Sequence, residues 1–170
     1  MRFQASSWGA RSCVVAWFIL AALTVLIYLP GLPGYWAFDD YGSILGNSTL
    51  TFRRLDWPHL AALLFSGPGL LHRPLSMLSF FFDSYWFGLD PAAFKLTNIV
   101  IHLLAGLSLW LMARQLLRLY ARRDPRLAPN AINGLSLAAT ALWLVHPLNL
   151  TAVLYVVQRE TALSAVFTAL

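Results

Sequence analysis

The chain has 170 residues, of which 59% are hydrophobic and only 11% charged, with a mean hydropathy of +0.65. Soluble domains are about 45–50% apolar and about 25% charged, so the composition excludes a disordered chain, a basic nucleic-acid-binding domain and an ordinary soluble enzyme. A soluble fold of this size has too little interior for so much apolar surface, whereas a bilayer solvates it, and the expectation is an all-α integral membrane protein.

A membrane-crossing helix needs roughly 20 mostly apolar residues. No charge occurs from Ser12 to Phe38, and the first span is expected over 13–29, ended by Pro30 and Pro33. A second charge-free run, Leu96–Ala113, extends to a span over 94–117. The run Leu127–Gln158 is too long for one span and is divided at His146-Pro147, giving a third span over 135–145. A fourth begins at Thr161 and is incomplete at Leu170, since ten residues of helix cover about 15 Å of a roughly 30 Å hydrocarbon core. The expectation is therefore about four spans in a single membrane domain, 1–170, forming the N-terminal part of a longer polytopic protein.

The bases are distributed unevenly. Arg2, Arg11, Arg114, Arg118, Arg122, Arg123 and Arg126 flank the first two spans on one side, with only Asp124 against them. The remaining segments carry five bases against six acids. By the positive-inside bias the N-terminus is cytoplasmic, and the loops 30–93 and 146–160 face outward.

The outer loop 30–93 is long and far from polar. Two short helices are expected in it, lying at the membrane interface. One runs from Pro58 to Phe65, before Gly67-Pro68-Gly69, and the other from Pro74 to Phe87, before Gly88. In the second, Ser76, Ser79 and Asp83 share one face while Phe80, Phe81, Tyr85 and Trp86 fill much of the rest, the pattern of an interfacial amphipathic helix. His59 reads as a surface residue.

Chemistry-bearing residues gather on the outer side. Asp39 and Asp40 are adjacent carboxylates in an aromatic setting, suited to general-base work or to holding a divalent cation such as Mg or Mn, or to a solvated turn. Arg73, beside His72, is suited to a phosphate or to anchoring at headgroups. Arg159 and Glu160 stand together at the entrance of the last helix. Asn98, His102 and Gly106 share one face of the second span, which favours helix packing over catalysis. The single cysteine, Cys13, permits no intrachain disulfide and reads as buried filler.

Five strings occur in order: Phe38-Asp39-Asp40, then 72–80 opening with His72-Arg73-Pro74, then 98–104 opening with Asn98-Ile99, then 142–147 ending in His146-Pro147, then 155–160 ending in Gln158-Arg159-Glu160. Together they resemble the N-terminal membrane region of GT-C glycosyltransferases, most of all the transmembrane and tetratricopeptide-repeat O-mannosyltransferase group and its bacterial relatives. The resemblance implies transfer of a sugar from a polyprenyl-phosphate-linked donor to a protein or glycan acceptor at the outer, periplasmic face of a bacterial inner membrane. It implies Asp39 as catalytic base with Asp40 as its partner, Arg73 and His72 near the carrier phosphate, and Arg159 and Glu160 in the same cleft. Asp39, Asp40 and Glu160 are then the carboxylates able to meet a cation. The partners implied are the lipid-linked donor, the acceptor and the bilayer, and no nucleic acid. The shortness of the chain keeps an alternative open, a non-catalytic truncated relative or a membrane assembly partner.

Overall fold

The computed structural model describes residues 10–51, 54–65, 73–123 and 127–170. His72 and Arg53, with the flanking charges Arg2, Asp124 and Arg126, lie outside the described residues. Among those described the fold is wholly helical, without strands. Its α-helices are α1 (Ala10–Tyr28), α2 (Ser48–Thr51), α3 (Trp57–Phe65), α4 (Pro74–Phe87), α5 (Pro91–Ala121), α6 (Pro129–Leu144), α7 (Asn149–Leu154) and α8 (Arg159–Ala169). Short helical turns of 3₁₀ type at Leu29–Gly31 and Val156–Gln158, and of π type at Tyr41–Leu45, complete the helical elements among the described residues.

Proline and glycine set the boundaries as their chemistry requires. Pro74, Pro91 and Pro129 each open a helix, where a missing N–H costs nothing. Asp90 caps α5 by accepting from the Ala92 N–H at 3.0 Å. Gly88 ends α4 at φ 74°, a conformation that L side chains resist.

Two helices, α1 with its following turn and α5, are long and apolar enough to cross a membrane. On α1, Phe18, Ile19, Leu23, Leu26 and Ile27 are each more than half exposed, a face that only lipid solvates at low cost. The molecule is a membrane protein. Helices α6 and α8 stand where the third and fourth spans are expected, at 16 and 11 residues against the roughly 20 of a full crossing.

Helix α5 is the axis, packed against α6, α7 and α8 along its length and against α1 and α4 as well. The face proposed for packing does pack. His102 Nε2 lies 2.9 Å from the Leu144 carbonyl oxygen, and the missing Cβ of Gly106 admits the Leu144 side chain. Trp17 stacks on Trp110 at 5.8 Å, joining α1 to α5. One apolar core unites the 40–87 segment with the start of α5 and the turn after α7 through Ile44, Leu50, Leu63, Phe81, Phe94 and Val156, and a second joins α1, α5 and α7 through Tyr28, Ile99 and Val153.

The helix expected at Pro74–Phe87 is present with those bounds, but its polar stripe does not face water. Ser76 and Asp83 are buried, while Trp86 and Phe87 are exposed. The reason lies across the interface, where the buried Arg159 takes the Asp83 and Ser79 oxygens as partners. His59 is likewise half-buried, its ring 5.6 Å from that of Phe81.

Candidate functional site

The Asp39-Asp40 pair divides. Asp40 is 1% exposed, and its two carboxylate oxygens accept from the Ala37 N–H at 3.0 Å and the Val157 N–H at 2.8 Å. Lys95, buried at the start of α5 and donating to the Gly31 carbonyl at 3.2 Å, is close enough for its charge to favour the ionised carboxylate. Burial still outweighs these contacts and pushes the Asp40 carboxyl above the usual carboxylate range. Asp40 is thus a latch: it folds the 37–40 loop on itself and fastens it to the segment after α7.

Asp39 is exposed; its backbone N–H donates to the Tyr155 hydroxyl at 3.0 Å, and among the described residues its carboxylate has no hydrogen-bond or ion-pair partner. The ring of Tyr155 meets that of Phe38 edge-on at 6.2 Å. Phe38 has φ 42°, the one non-glycine in the left-handed region among the described residues. Such strain costs of order 1–3 kcal/mol and persists where surrounding contacts over-determine it. Here the contacts of Asp40 and Tyr155 do so, and the strained residue turns the Asp39 side chain outward while Asp40 points in.

The Arg159-Glu160 pair divides in the same way. Arg159 is fully buried. Its guanidinium donates to Asn98 Oδ1 at 2.6 Å, Ser79 Oγ at 3.1 Å, Asp83 Oδ2 at 2.6 Å and the Phe94 carbonyl at 2.8 Å, and lies over the rings of Phe80 and Phe94. Thr97 donates to the other oxygen of Asp83 at 2.8 Å, and Asn98 Nδ2 donates to the Val153 carbonyl at 3.0 Å. Expected at the substrate, Arg159 is instead spent inside the protein, where it ties α4, α5 and α8 together.

Glu160 remains partly exposed and pairs with Arg73, itself half-exposed at the start of α4. The pair stands at a groove of about 380 Å³ between the first turns of α4 and the length of α8. Its walls include Leu75, Leu163 and Phe167 beside Ser76, Thr161 and Ser164, so a charged end adjoins apolar sides. Val157, where Asp40 is fastened, precedes Glu160 by three residues, about 5 Å of helical rise, so loop and groove belong to one end of the molecule.

Among the described residues no group of three or more His, Cys, Asp or Glu is placed to hold a metal ion. Asp40 is engaged by two N–H groups and Glu160 by Arg73. Sequence reasoning missed Asp83 and Lys95. Asp83 had one signal, a carboxylate on a serine-lined helix face, but its partner stands 76 residues away.

The chain is 33% identical over 156 residues to Protein O-mannosyl-transferase Tmtc1 of Drosophila melanogaster, an alignment covering 86% of this chain and 16% of that protein. It is 29% identical over 154 residues to Protein O-mannosyl-transferase TMTC1 of Mus musculus, covering 86% of this chain and 15% of that one. With Protein O-mannosyl-transferase Tmtc3 of Drosophila melanogaster it shares 32% identity over 106 residues, 56% of this chain and 11% of the relative. The chain spans about a sixth or less of the length of these relatives. No family model matches it, and no solved structure matches it.

Proposed function

We propose that this chain, a relative of the TMTC-type protein O-mannosyl-transferases of the GT-C class, forms the catalytic and donor-binding face of a membrane mannosyltransferase. In this reading α1 and α5 cross the membrane, and α6 and α8 pack beside α5 within it. A polyprenyl-phosphate-linked mannose is used at its outer face, and a protein hydroxyl accepts the sugar. The observation that carries the reading is the exposed Asp39 carboxylate, held out by the strained Phe38 and the buried Asp40 at the same end of the molecule as the Arg73 groove.

The chemistry follows from those two places. The acceptor oxygen bonds to the anomeric carbon of mannose as Asp39 takes the hydroxyl proton. The bond between that carbon and the carrier's phosphate oxygen breaks, and its electron pair stays on the phosphate. The phosphate changes from a singly charged diester into a monoester of higher charge. Arg73 offsets the added charge through its two-pronged guanidinium, and the apolar groove walls accept the first part of the carrier chain. Asp40 is a positioning residue, and its buried oxygens touch neither reactant.

The test is mannose transfer from polyprenyl-phosphate mannose to a peptide acceptor by the full-length protein in proteoliposomes. Asp39→Asn is expected to abolish transfer with the protein still present and folded in the membrane. Undiminished transfer by that variant overturns Asp39 as the base.

A further inference from the structure

We propose that Glu160 is an internal stand-in for the carrier phosphate: it holds Arg73 while the groove is empty, yields it when a prenyl phosphate arrives, and recaptures it to expel the spent carrier. The proposal rests on the donor-groove reading above and adds to it a cycle of exchange.

The geometry sets up such an exchange. Arg73 and Glu160 face each other from two different helices across the head of the groove, with side chains 45% and 24% exposed. Ion pairs this open are weak, because water competes for both partners. A phosphate meets an arginine through two parallel hydrogen bonds and binds it more strongly. Exchange is therefore downhill for a ligand whose chain also fills the apolar walls at Leu75, Leu163 and Phe167.

Glu160 is well placed to wait. The residue before it, Arg159, is locked by four hydrogen bonds, which fixes the start of α8. Glu160 lies in the first turn of that helix, where unpaired backbone N–H groups favour a negative charge, so the carboxylate keeps a stabilising environment after Arg73 leaves.

The cycle also answers a problem that the transfer creates. The donor is a diester with one charge, and the departing carrier is a monoester with up to two. Arg73 alone would hold the product more tightly than the substrate. A carboxylate competing for the same guanidinium shortens that hold.

The experiment measures binding of farnesyl phosphate to the full-length protein in phosphatidylcholine nanodiscs, with farnesol and inorganic phosphate as the comparison probes. Glu160→Gln is expected to bind farnesyl phosphate about two- to fivefold more tightly than wild type, the range that loss of a half-exposed ion pair supports, with farnesol unchanged. In turnover, KM for the lipid-linked donor and kcat should fall together, since release slows. Glu160→Asp, which keeps the charge, should return both toward wild type. Binding by Glu160→Gln that is equal to or weaker than wild type overturns the exchange, and if Arg73→Gln still loses binding the donor groove survives that result. Undiminished binding by Arg73→Gln removes the groove reading and the exchange with it. Inorganic phosphate binding as tightly as farnesyl phosphate overturns the lipid carrier as the ligand.

Discussion

Arg159 and Arg73 each meet an acidic partner, in opposite surroundings. Arg159 is sealed between α4, α5 and α8, with Asp83 at 2.6 Å and its remaining contacts supplied by Asn98, Ser79, the Phe94 carbonyl and two aromatic faces. Arg73 pairs with Glu160 at the open head of a groove. The difference separates a charge consumed in holding helices together from one left open to exchange. A buried guanidinium with its donors assigned has nothing to offer a substrate, and removing its partner leaves a naked charge. An open pair gives up little when it exchanges. Asp40 and Asp39 repeat the division one loop away.

The largest effect is expected inside the seal. Arg159→Leu strands the Asp83 carboxylate and should cost about 3–5 kcal/mol, read as a loss of thermal stability in detergent or of folded protein in the membrane. Replacing both partners, Arg159→Leu with Asp83→Leu, should recover much of that loss; a double variant as unstable as the single one would deny that the pair is the cause. Asp40→Asn comes next. It puts an amide donor against one of two N–H donors and should cost about 1.5–3 kcal/mol.

The same variant exposes a pH effect. The folded-state value of Asp40 is raised by burial, so between the ordinary carboxylate value near 4 and that raised value the folded protein binds more protons than the unfolded chain. Stability contributed by this group therefore falls as pH rises through that window. The difference in melting temperature between wild type and Asp40→Asn should widen from about pH 8 toward about pH 5.

Gly106→Ala places a Cβ 2.6 Å from a methyl of Leu144 and should cost about 1–3 kcal/mol. Leu144 has little room to yield, since it is fully buried and its carbonyl is held by His102. Arg73→Gln should be the mildest for stability, under about 1 kcal/mol, and the proposed donor groove predicts that it loses farnesyl phosphate binding.

Much of the fold was legible because it is local. Pro74 and Gly88 gave the bounds of α4, and charge-free runs gave α1 and most of α5. Helix α5 begins at Pro91, three residues before the expected 94, because Asp90 and Pro91 form a cap-and-start that an apolar window does not weigh. Helix α6 begins at Pro129, six residues before the expected 135, and takes in Asn133, a polar residue that an apolar window leaves out but that gains a partner when folded: Arg114 Nε donates to its Oδ1 at 3.0 Å.

The site was legible by residue type and not by role. Periodicity showed Ser76, Ser79 and Asp83 on one face but not which way that face turns, and a solvent-facing stripe is the usual outcome. The inward turn is set by Arg159, which in sequence looks no different from Glu160 as a ligand contact. Adjacent identical carboxylates at 39 and 40 carry no local mark of their division. It arises from the backbone reversal at Phe38 and from the Val157 N–H, 117 residues away.

The central claim is that each charged doublet holds one structural and one functional member. It is tested most directly by measuring melting temperature and mannose transfer in parallel for Asp39→Asn and Asp40→Asn in the same membrane mimic. The account predicts that Asp39→Asn loses transfer at an unchanged melting temperature, whereas Asp40→Asn melts several degrees lower. A destabilised Asp39→Asn beside an Asp40→Asn that keeps its stability and loses transfer would contradict it.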